Sequence, residues 1–311
     1  MLYSTLGNSD LKVSKIGFGC MSLTGSTAEN ETIINRALEL GINYFDTADL
    51  YEKGENETKI GQLLKEKRNQ VILATKVGNQ YRADGSGWDW NPGKDYILSA
   101  VEGSLRRLQT DHIDLYQLHG GTINDPIDET IEAFEILKQQ GKIRYYGISS
   151  IRPNVIREYV KRSGIVSVMM QYSLLDRRPE EECFELLENH HIGVLSRGSI
   201  AQGLLVDKPA KPYLNWPAEE VKRAAEAVHA VARHFFKDRP NHNAQDRVVS
   251  TAQVATRFVL QHQAVSSTVA GIRTLSQLED IAAAADLPLL SAAEMELLAG
   301  VTASQYYSEH R

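Results

Sequence analysis

The sequence predicts an α/β fold in which parallel strands and helices alternate around a barrel within one domain, residues 1–311. Short apolar runs recur along the chain with amphipathic segments between them, as expected of buried parallel strands joined by crossover helices. A chain of 311 residues falls within the size range of a single (β/α)8 barrel. No shift in composition marks a domain boundary, so one domain is expected.

The elements are predicted from apolar runs and from turn and capping signals. The turn residues 7–10 predict a hairpin between the extended segments on either side of them. Ser26 and Glu29 have the spacing of a capping box and start the first helix, which Gly41 ends. The predicted barrel strands are residues 16–19, 42–45, 71–76, 113–118, 143–148, 166–171, 193–196 and 267–270. Further helices are predicted at residues 56–67, 152–161, 179–189, 218–236, 248–261 and 274–285.

Two proline dipeptides predict the starts of the third and fourth helices. Asn91-Pro92 and Asp125-Pro126 each place a capping residue before a proline at the first helical position. Residues 79–93, before the first of these starts, are predicted to be a long irregular loop. Such a loop at the active face of a barrel is usually functional.

Polar side chains follow three of the predicted strands at equivalent positions. Asp46, Lys76 and His119 each stand at the carboxyl end of a separate apolar strand, and Tyr51 lies on the loop just past the first of them. A single polar residue at a strand end is usually a cap or a solvated turn. Four such residues at one end of a parallel barrel, where active sites lie, instead predict a catalytic site.

The sequence around these residues resembles the catalytic signatures of the aldo-keto reductase family. The matching motifs are Phe-Asp-Thr-Ala-Asp-Leu-Tyr (residues 45–51), Ala-Thr-Lys-Val-Gly (74–78) and Leu-His-Gly (118–120), and the resemblance covers essentially the whole chain. It implies a (β/α)8 TIM barrel, closed at the bottom by an N-terminal β-hairpin, that binds a nicotinamide cofactor without a Rossmann domain. It also implies an extra helix between strands 7 and 8, residues 218–236, which the polar stretch 237–247 follows.

The resemblance assigns a role to each of the four strand-end residues. Tyr51 is the implied proton donor to the carbonyl substrate, and Lys76 is implied to lower the pKa of its phenol. Asp46 pairs with Lys76, and His119 orients the carbonyl. A phenol with its ordinary pKa of about 10 transfers protons poorly at neutral pH, so a cation held beside it by a carboxylate has a clear chemical purpose.

The cofactor contacts implied by the resemblance lie on loops at the carboxyl ends of strands. No Gly-x-Gly-x-x-Gly motif follows a strand and opens a helix, so a Rossmann site is not supported. Residues 147–150 resemble the family motif Gly-x-Ser-Asn, which binds the carboxamide of nicotinamide, with Ser150 in place of the asparagine. The implied contacts are Gly19, Cys20, Met21, Ser149, Ser150, Gln171, Arg197, Gly198, Ser199, Ala201, Gly203, Gly271, Arg273 and Gln277.

Two arginines bear on the kind of cofactor. Arg197 occupies a position where many relatives carry an aromatic residue that stacks on nicotinamide, which indicates a bacterial branch with arginine there. A flat guanidinium can also stack. Arg273 follows the last strand at a helix start, where it can bind a ribose 2′-phosphate through two donors, so NADPH is expected rather than NADH. Ile281 replaces an asparagine that often binds adenine.

The aromatic residues of segment 79–93 allow two interpretations. Trp88 and Trp90 either pack against the barrel of their own chain or form part of the pocket for the carbonyl substrate. Of these two interpretations, we adopt the second and predict that both tryptophans are residues of the substrate pocket. The substrate itself is expected to be a small-molecule aldehyde or ketone.

Composition bounds the remaining properties. A formal net charge of −6 argues against nucleic acid or a membrane surface as a partner. The only cysteines, Cys20 and Cys183, have no disulfide or metal spacing, which predicts reduced thiols and a cytoplasmic location. No signal peptide or membrane-spanning run is visible. A monomer is expected.

Two other functions remain open from the sequence. The first is a regulatory subunit that binds NADPH with little turnover, as some family relatives do. The second is a metal-assisted hydrolase that uses Asp46 and His119, but the further ligands that a metal needs are missing at the strand ends. His190-His191 is expected to be a polar helix end, and His242 has no evident partner.

Overall fold

The strands of this computed structural model form two small hairpins and one closed barrel. The structure describes residues 1–236, 248–303 and 305–311. In chain order the strands are β1 (Tyr3–Thr5), β2 (Lys12–Ser14), β3 (Ile16–Gly19), β4 (Tyr44–Asp46), β5 (Ile72–Val77), β6 (Asn79–Tyr81), β7 (Trp88–Trp90), β8 (Ile113–Leu118), β9 (Ile143–Ser149), β10 (Ser167–Gln171), β11 (Gly193–Arg197) and β12 (Val265–Gly271). Parallel pairing in the order β3-β4-β5-β8-β9-β10-β11-β12 closes the barrel, which confirms the predicted (β/α)8 architecture.

Helices connect the barrel strands and cover their outer faces. They are α1 (Thr27–Glu39), α2 (Glu55–Leu64), α3 (Lys94–Leu108), α4 (Ile127–Gln139), α5 (Pro153–Arg162), α6 (Cys183–Asn189), α7 (Ala218–His234), α8 (Thr251–Leu260), α9 (Leu275–Ala283) and α10 (Ala292–Gly300). The capping box predicted for α1 is present, because Ser26 and Glu29 each bond the backbone of the other. The sequence analysis did not predict α10, although Ser291 and Glu294 form a second capping box there.

The N-terminal hairpin closes one end of the barrel, as expected. β1 pairs antiparallel with β2, and Leu6, Leu11 and Val13 are buried among inward-facing residues of the barrel strands. Gly7 makes the close approach possible: its φ is +52°, and a Cβ at this position would collide with the carbonyl oxygen of Val166, the residue before β10. The strand ends at the opposite face are therefore left free for the site.

Both proline-marked helix starts are wrong, because the capping side chains bond outside the helices. α3 begins after Gly93, whose backbone N–H donates to Asn91 Oδ1 at 3.0 Å in a turn that precedes the helix. α4 begins after Pro126, which is itself the N-cap, while Asp125 accepts a hydrogen bond from the backbone N–H of Thr122 at 2.7 Å. Both helices thus begin later than the sequence predicts.

The predicted irregular loop 79–93 is wrong in part, because it contains the antiparallel hairpin β6–β7. Tyr81 lies opposite Trp88 in its register. Arg82 Nε donates to Asp89 Oδ2 at 2.9 Å across the connecting turn, where Gly85 has a φ of +74°. The hairpin is too short for its alternation to be recognised in the sequence.

The insertion between β11 and β12 contains α7 and α8 on either side of the predicted polar stretch. That stretch, residues 237–247, lies outside the described residues, and so does His242. The extra helix predicted at 218–236 is present as α7. Among the residues that the structure describes, none of the helices has the length and apolar character needed to cross a membrane.

Candidate active site

A buried ion pair joins two neighbouring barrel strands. Asp46 ends β4, Lys76 lies near the end of β5, and both side chains are almost fully buried. Lys76 Nζ donates to Asp46 Oδ1 and, at 2.7 Å, to the carbonyl oxygen of Thr47. Burial by itself lowers the pKa of Lys76, but the charges of Asp46 and Tyr51 outweigh it and raise the pKa above its ordinary value. The contacts of Lys76 with these two groups therefore favour its charged form inside the barrel mouth.

Two further donors hold the carboxylate of Asp46. Gln117 Nε2 donates to Asp46 Oδ2 at 3.1 Å, and the hydroxyl of Tyr44 lies 3.4 Å from the same oxygen. Burial raises the pKa of Asp46, whereas Lys76 and these hydrogen bonds favour its charged form. The sequence analysis missed Gln117. A signal for it exists, since Gln117 precedes His119 by two residues and therefore faces the barrel interior, as Leu115 does.

The phenol of Tyr51 lies beside this ion pair. Tyr51 begins a short 3₁₀ turn after β4, and its hydroxyl oxygen is 3.4 Å from Lys76 Nζ. The same ammonium is 5.1 Å from the centre of the tyrosine ring. The turn is held from outside by Tyr81, whose hydroxyl donates to the carbonyl oxygen of Leu50 at 2.6 Å. Hairpin β6–β7 thus anchors the residue that precedes Tyr51.

His119 faces Tyr51 from the end of β8. Its backbone N–H donates to the carbonyl oxygen of Val77 at 2.7 Å, and its ring meets the Tyr51 ring edge to face at 5.8 Å. Burial, together with the cations Lys76 and Arg197, lowers the pKa of His119 to about 3. The imidazole is therefore neutral at physiological pH. Its Nδ1 is buried, and no group in the described part of the chain forms a hydrogen bond with it.

A second buried carboxyl, which the sequence analysis did not single out, lies on the same loop. Asp49 is 8% exposed, and its Oδ1 has no hydrogen-bond partner among the residues that the structure describes. Burial and the nearby Glu57 raise the pKa of Asp49 to about 8. Glu57 is itself fully buried and is held by Arg107, whose Nε donates to Glu57 Oε2 at 2.7 Å. Burial therefore favours the protonated form of this acid.

A cavity of about 640 Å³ opens above these residues. Tyr51, Lys76 and His119 lie in its wall. Of the residues predicted to bind a cofactor, the cavity is lined by Met21, Ser149, Ser150 and Arg197. The residues at the end of the chain, from Tyr307 to His310, form another wall that the sequence analysis did not predict. No sequence signal points to this wall, because it depends on where the last helix ends.

Two of the residues predicted to bind nicotinamide, Gln171 and Arg197, are joined by a hydrogen bond in the structure. Gln171, at the end of β10, donates to the hydroxyl of Tyr213 at 2.8 Å and accepts from Arg197 Nη1 at 3.1 Å. Arg197 is exposed at the end of β11. Ser150 Oγ instead accepts a hydrogen bond from the backbone N–H of Arg152 at 3.2 Å. The serine that replaces the family's asparagine thus bonds its own loop.

The predicted pyrophosphate loop is a succession of tight turns. Gly198, Ala201 and Gly203 have positive φ values of 78°, 46° and 91°. Ala201 N donates to the carbonyl oxygen of Gly198 at 2.8 Å, and Gly203 N donates to that of Ile200 at 2.9 Å. Ser199 and Ala201 are buried. Turns of this kind can present backbone N–H groups to an anion.

The other predicted cofactor residues lie around β3, β12 and α9. Gly19 and Gly271 are paired across β3 and β12. Cys20 is buried, which raises the pKa of its thiol, whereas Met21 is exposed at the cavity. Gln277 Oε1 accepts from the backbone N–H of Arg273 at 3.1 Å. Ile281 is 6% exposed on α9.

Neither of the two predicted pocket tryptophans lies in the lining of the cavity. The ring of Trp90 packs against Gly78 and Gly120, and its Nε1 donates to Asp125 Oδ2 at 3.0 Å. Gly120 lines the cavity, so Trp90 supports the wall from behind. Trp88 is 48% exposed on β7.

The described part of the chain contains no cluster of histidine, cysteine and acidic side chains that could bind a metal ion. His190 is the C-cap of α6, and His191 follows it with a φ of +54°. The expectation that this pair ends a helix is confirmed.

Comparison with known proteins agrees with this geometry. A family model described as the Aldo/keto reductase family matches residues 15–303. The uncharacterized oxidoreductase YqkF of Bacillus subtilis strain 168 is 48% identical over 315 residues, covering 98% of this chain and 98% of that protein. The structure of the aldo-keto reductase AKR11C1 from Bacillus halodurans in its holo form has a TM-score of 0.90 and 49% identity, over 100% of this chain and 99% of that one. The NADH-specific methylglyoxal reductase of Escherichia coli strain K12 is 33% identical over 229 residues, 67% of this chain and 70% of that protein.

Proposed function

Because the chain belongs to the aldo/keto reductase family, we propose that it reduces aldehydes or ketones with NADPH and that Tyr51 donates the proton. The family assignment makes it an oxidoreductase with a nicotinamide cofactor and carbonyl reduction as its general chemistry. The observation that carries the finer proposal is the contact of Lys76 Nζ with both Asp46 and the Tyr51 hydroxyl. A buried ammonium is costly unless it is paired, so its place beside a phenol at the barrel mouth, where active sites of this fold lie, favours a catalytic role.

The residues around the cavity fit a nicotinamide cofactor. Gln171 and Arg197 offer amide and guanidinium groups at the ends of β10 and β11. The turns from Gly198 to Gly203 carry the positive φ values that suit a phosphate-binding loop. When bound, the cofactor supplies the hydride. The protein has to bind the carbonyl, provide the proton and stabilise the charge that develops on oxygen.

Three side chains divide these tasks in the proposed mechanism. Tyr51 Oη donates the proton to the carbonyl oxygen, and the ammonium of Lys76 at 3.4 Å stabilises the phenolate that this leaves. Asp46 keeps Lys76 in place and balances its charge. His119, neutral and edge-on to Tyr51, donates a hydrogen bond to the carbonyl oxygen from Nε2 in the tautomer that leaves Nδ1 unprotonated.

The preference for NADPH rests on Arg273. Its side chain is exposed beside the start of α9, and within the described ranges no carboxylate pairs with it. A free guanidinium there suits a 2′-phosphate, which only NADPH carries. The name of the similar Escherichia coli protein specifies NADH, so the family alone does not decide the choice.

The test is cofactor oxidation with a reactive aromatic aldehyde, followed at equal concentrations of NADPH and NADH. We expect aldehyde-dependent oxidation with both and a higher kcat/KM for NADPH. Oxidation of NADH alone would contradict the cofactor assignment. Tight NADPH binding without turnover over a broad panel of carbonyl compounds would contradict the reductase and favour a regulatory, cofactor-sensing protein.

We also propose that the protein acts in the cytoplasm as a monomer on small-molecule substrates. Cys20 and Cys183 are both free and buried, which suits a reducing compartment. Sedimentation of the purified protein would test the monomer, and a second species at micromolar concentration would contradict it.

A further inference from the structure

We propose that the cavity selects carbonyl substrates that carry a carboxylate away from the carbonyl carbon, and that Arg152 binds this carboxylate. This inference rests on the proposed reductase function and adds a substrate class to it. It concerns a residue that neither the motifs nor the catalytic roles account for.

The charges in the cavity wall are not balanced. Four cationic side chains line it, namely Lys76, Arg152, Arg178 and Arg197. Asp46 neutralises Lys76, and Asp176 holds Arg178 through two hydrogen bonds of 2.7 and 2.8 Å. Neither Arg152 nor Arg197 forms an ion pair with any carboxylate in residues 1–236, 248–303 or 305–311. Arg197 is instead bonded to Gln171 in the proposed nicotinamide site.

Arg152 is fixed in position although it has no ionic partner. It is the N-cap residue of α5, and its backbone N–H bonds Ser150 Oγ at 3.2 Å. One guanidinium nitrogen, Nη1, donates to the carbonyl oxygen of Gly121, and the side chain is partly buried. Its other donors have no hydrogen-bond partner among the described residues. An ordered guanidinium with free donors at a cavity is suited to a carboxylate.

The rest of this wall suits the body of such a substrate. Leu50, Ile151 and Met169 are apolar and lie in the same lining. The chain end completes the wall: Asn154 N donates to the carbonyl oxygen of His310 at 2.9 Å, beside Arg152. A substrate with an apolar or aromatic body between the carbonyl and the carboxylate would therefore match both parts of the cavity.

One acidic residue also lines the cavity. The side chain of Glu309 is 80% exposed and lies 3.8 Å from His310. Because it points largely into solvent, its repulsion of an anion is screened, whereas the partly buried Arg152 is screened less. The balance at the wall thus favours an anionic substrate.

The experiment uses 4-carboxybenzaldehyde, an anion at neutral pH, and the uncharged methyl 4-formylbenzoate, and compares each variant with the wild type on the same substrate, so that the different reactivities of the two aldehydes cancel. We expect Arg152→Gln to lower kcat/KM for the acid by about tenfold or more, mainly through KM, since a charge-assisted bond is lost. The kcat/KM of Arg152→Gln for the ester should change by less than about twofold. Arg152→Lys should keep part of the preference, because it keeps the charge.

A matched control is Arg106→Gln, which removes an exposed cation at the C-terminal end of α3, outside the cavity lining. This substitution should leave kcat/KM unchanged for both substrates. If Arg152→Gln lowered kcat/KM for the acid and the ester equally, or lowered neither, the assignment of Arg152 to the carboxylate would be overturned.

Binding of 4-(hydroxymethyl)benzoate, the alcohol product, provides a readout that does not depend on turnover. Calorimetry in the presence of NADP+ should show weaker binding to Arg152→Gln than to the wild type. If no aldehyde is reduced but binding of the alcohol depends on Arg152, the proposed reductase function is wrong and the proposed carboxylate site is supported. If aldehydes are reduced but binding of the alcohol does not depend on Arg152, the reductase function is supported and the proposed carboxylate site is wrong.

Discussion

The buried pair of Asp46 and Lys76 is the residue-scale feature on which the site depends. Two buried charges are tolerated because each neutralises the other and because Gln117 and Thr47 satisfy their remaining hydrogen bonds. Removal of one partner leaves the other as an isolated charge in a water-poor interior. The pair is therefore best tested by single and double substitution.

We expect Asp46→Asn to lower the free energy of unfolding by about 3 kcal/mol, because Lys76 is left without a counter-charge. The double variant Asp46→Asn/Lys76→Met should regain part of this loss. Urea unfolding at pH 7 measures both. The pairing would be contradicted if the double variant lost more free energy of unfolding than the two single variants lose together.

His119 yields a pH prediction. Its pKa is about 3 in the folded protein, well below the ordinary value of 6.5. As the pH falls from 7 to 5, the unfolded chain binds a proton at this residue and the folded protein does not, so stability is lost in that window. We expect wild type to lose about 1–2 kcal/mol more than His119→Asn between these pH values.

Urea unfolding at pH 7 and pH 5 checks this difference. The control is His234→Asn at an exposed histidine, which should follow the wild type. An equal pH dependence of wild type and His119→Asn would mean that His119 takes up its proton in the folded state too.

At the scale of elements, hairpin β6–β7 supports the turn that carries Tyr51 from outside. We expect Tyr81→Phe to lower kcat several-fold and to cost about 1 kcal/mol of stability, because it breaks the 2.6 Å bond to the carbonyl oxygen of Leu50. The matched control is Tyr3→Phe, which removes a 2.9 Å bond to the carbonyl oxygen of Gly41. Steady-state kinetics should show a loss of kcat only for Tyr81→Phe.

Elements were predictable where one local signal dominated. The predicted strands 16–19 and 113–118 have the same bounds in the structure, Ile16–Gly19 and Ile113–Leu118. The starts of α3 and α4 were not predictable, because Asn91 and Asp125 can cap a turn as well as a helix. Hairpin β6–β7 depends on pairing across a turn, which has little local signature.

At the scale of the molecule, the barrel converts separate strand ends into one site. Asp46, Lys76 and His119 were predictable as a group, because β4, β5 and β8 are neighbours and their carboxyl ends meet. The wall formed by Tyr307 to His310 was not predictable. It comes from the other end of the chain and depends on contacts such as that between Asn154 and His310.

The proposed preference for NADPH rests on a residue at the end of the last barrel strand. We expect Arg273→Gln to raise KM for NADPH about tenfold, with little change for NADH, since only NADPH has the 2′-phosphate. Steady-state kinetics with both cofactors measures the ratio. Equal effects on the two cofactors would place Arg273 outside the phosphate site.

The most direct test of the central claim, that Tyr51 donates the proton, uses Tyr51→Phe. NADPH oxidation with the aromatic aldehyde is measured beside NADPH binding, followed by the quenching of protein fluorescence. We predict that turnover falls by at least about a hundredfold while the Kd for NADPH stays within about twofold. A Tyr51→Phe protein that binds NADPH normally and keeps substantial turnover would contradict the account.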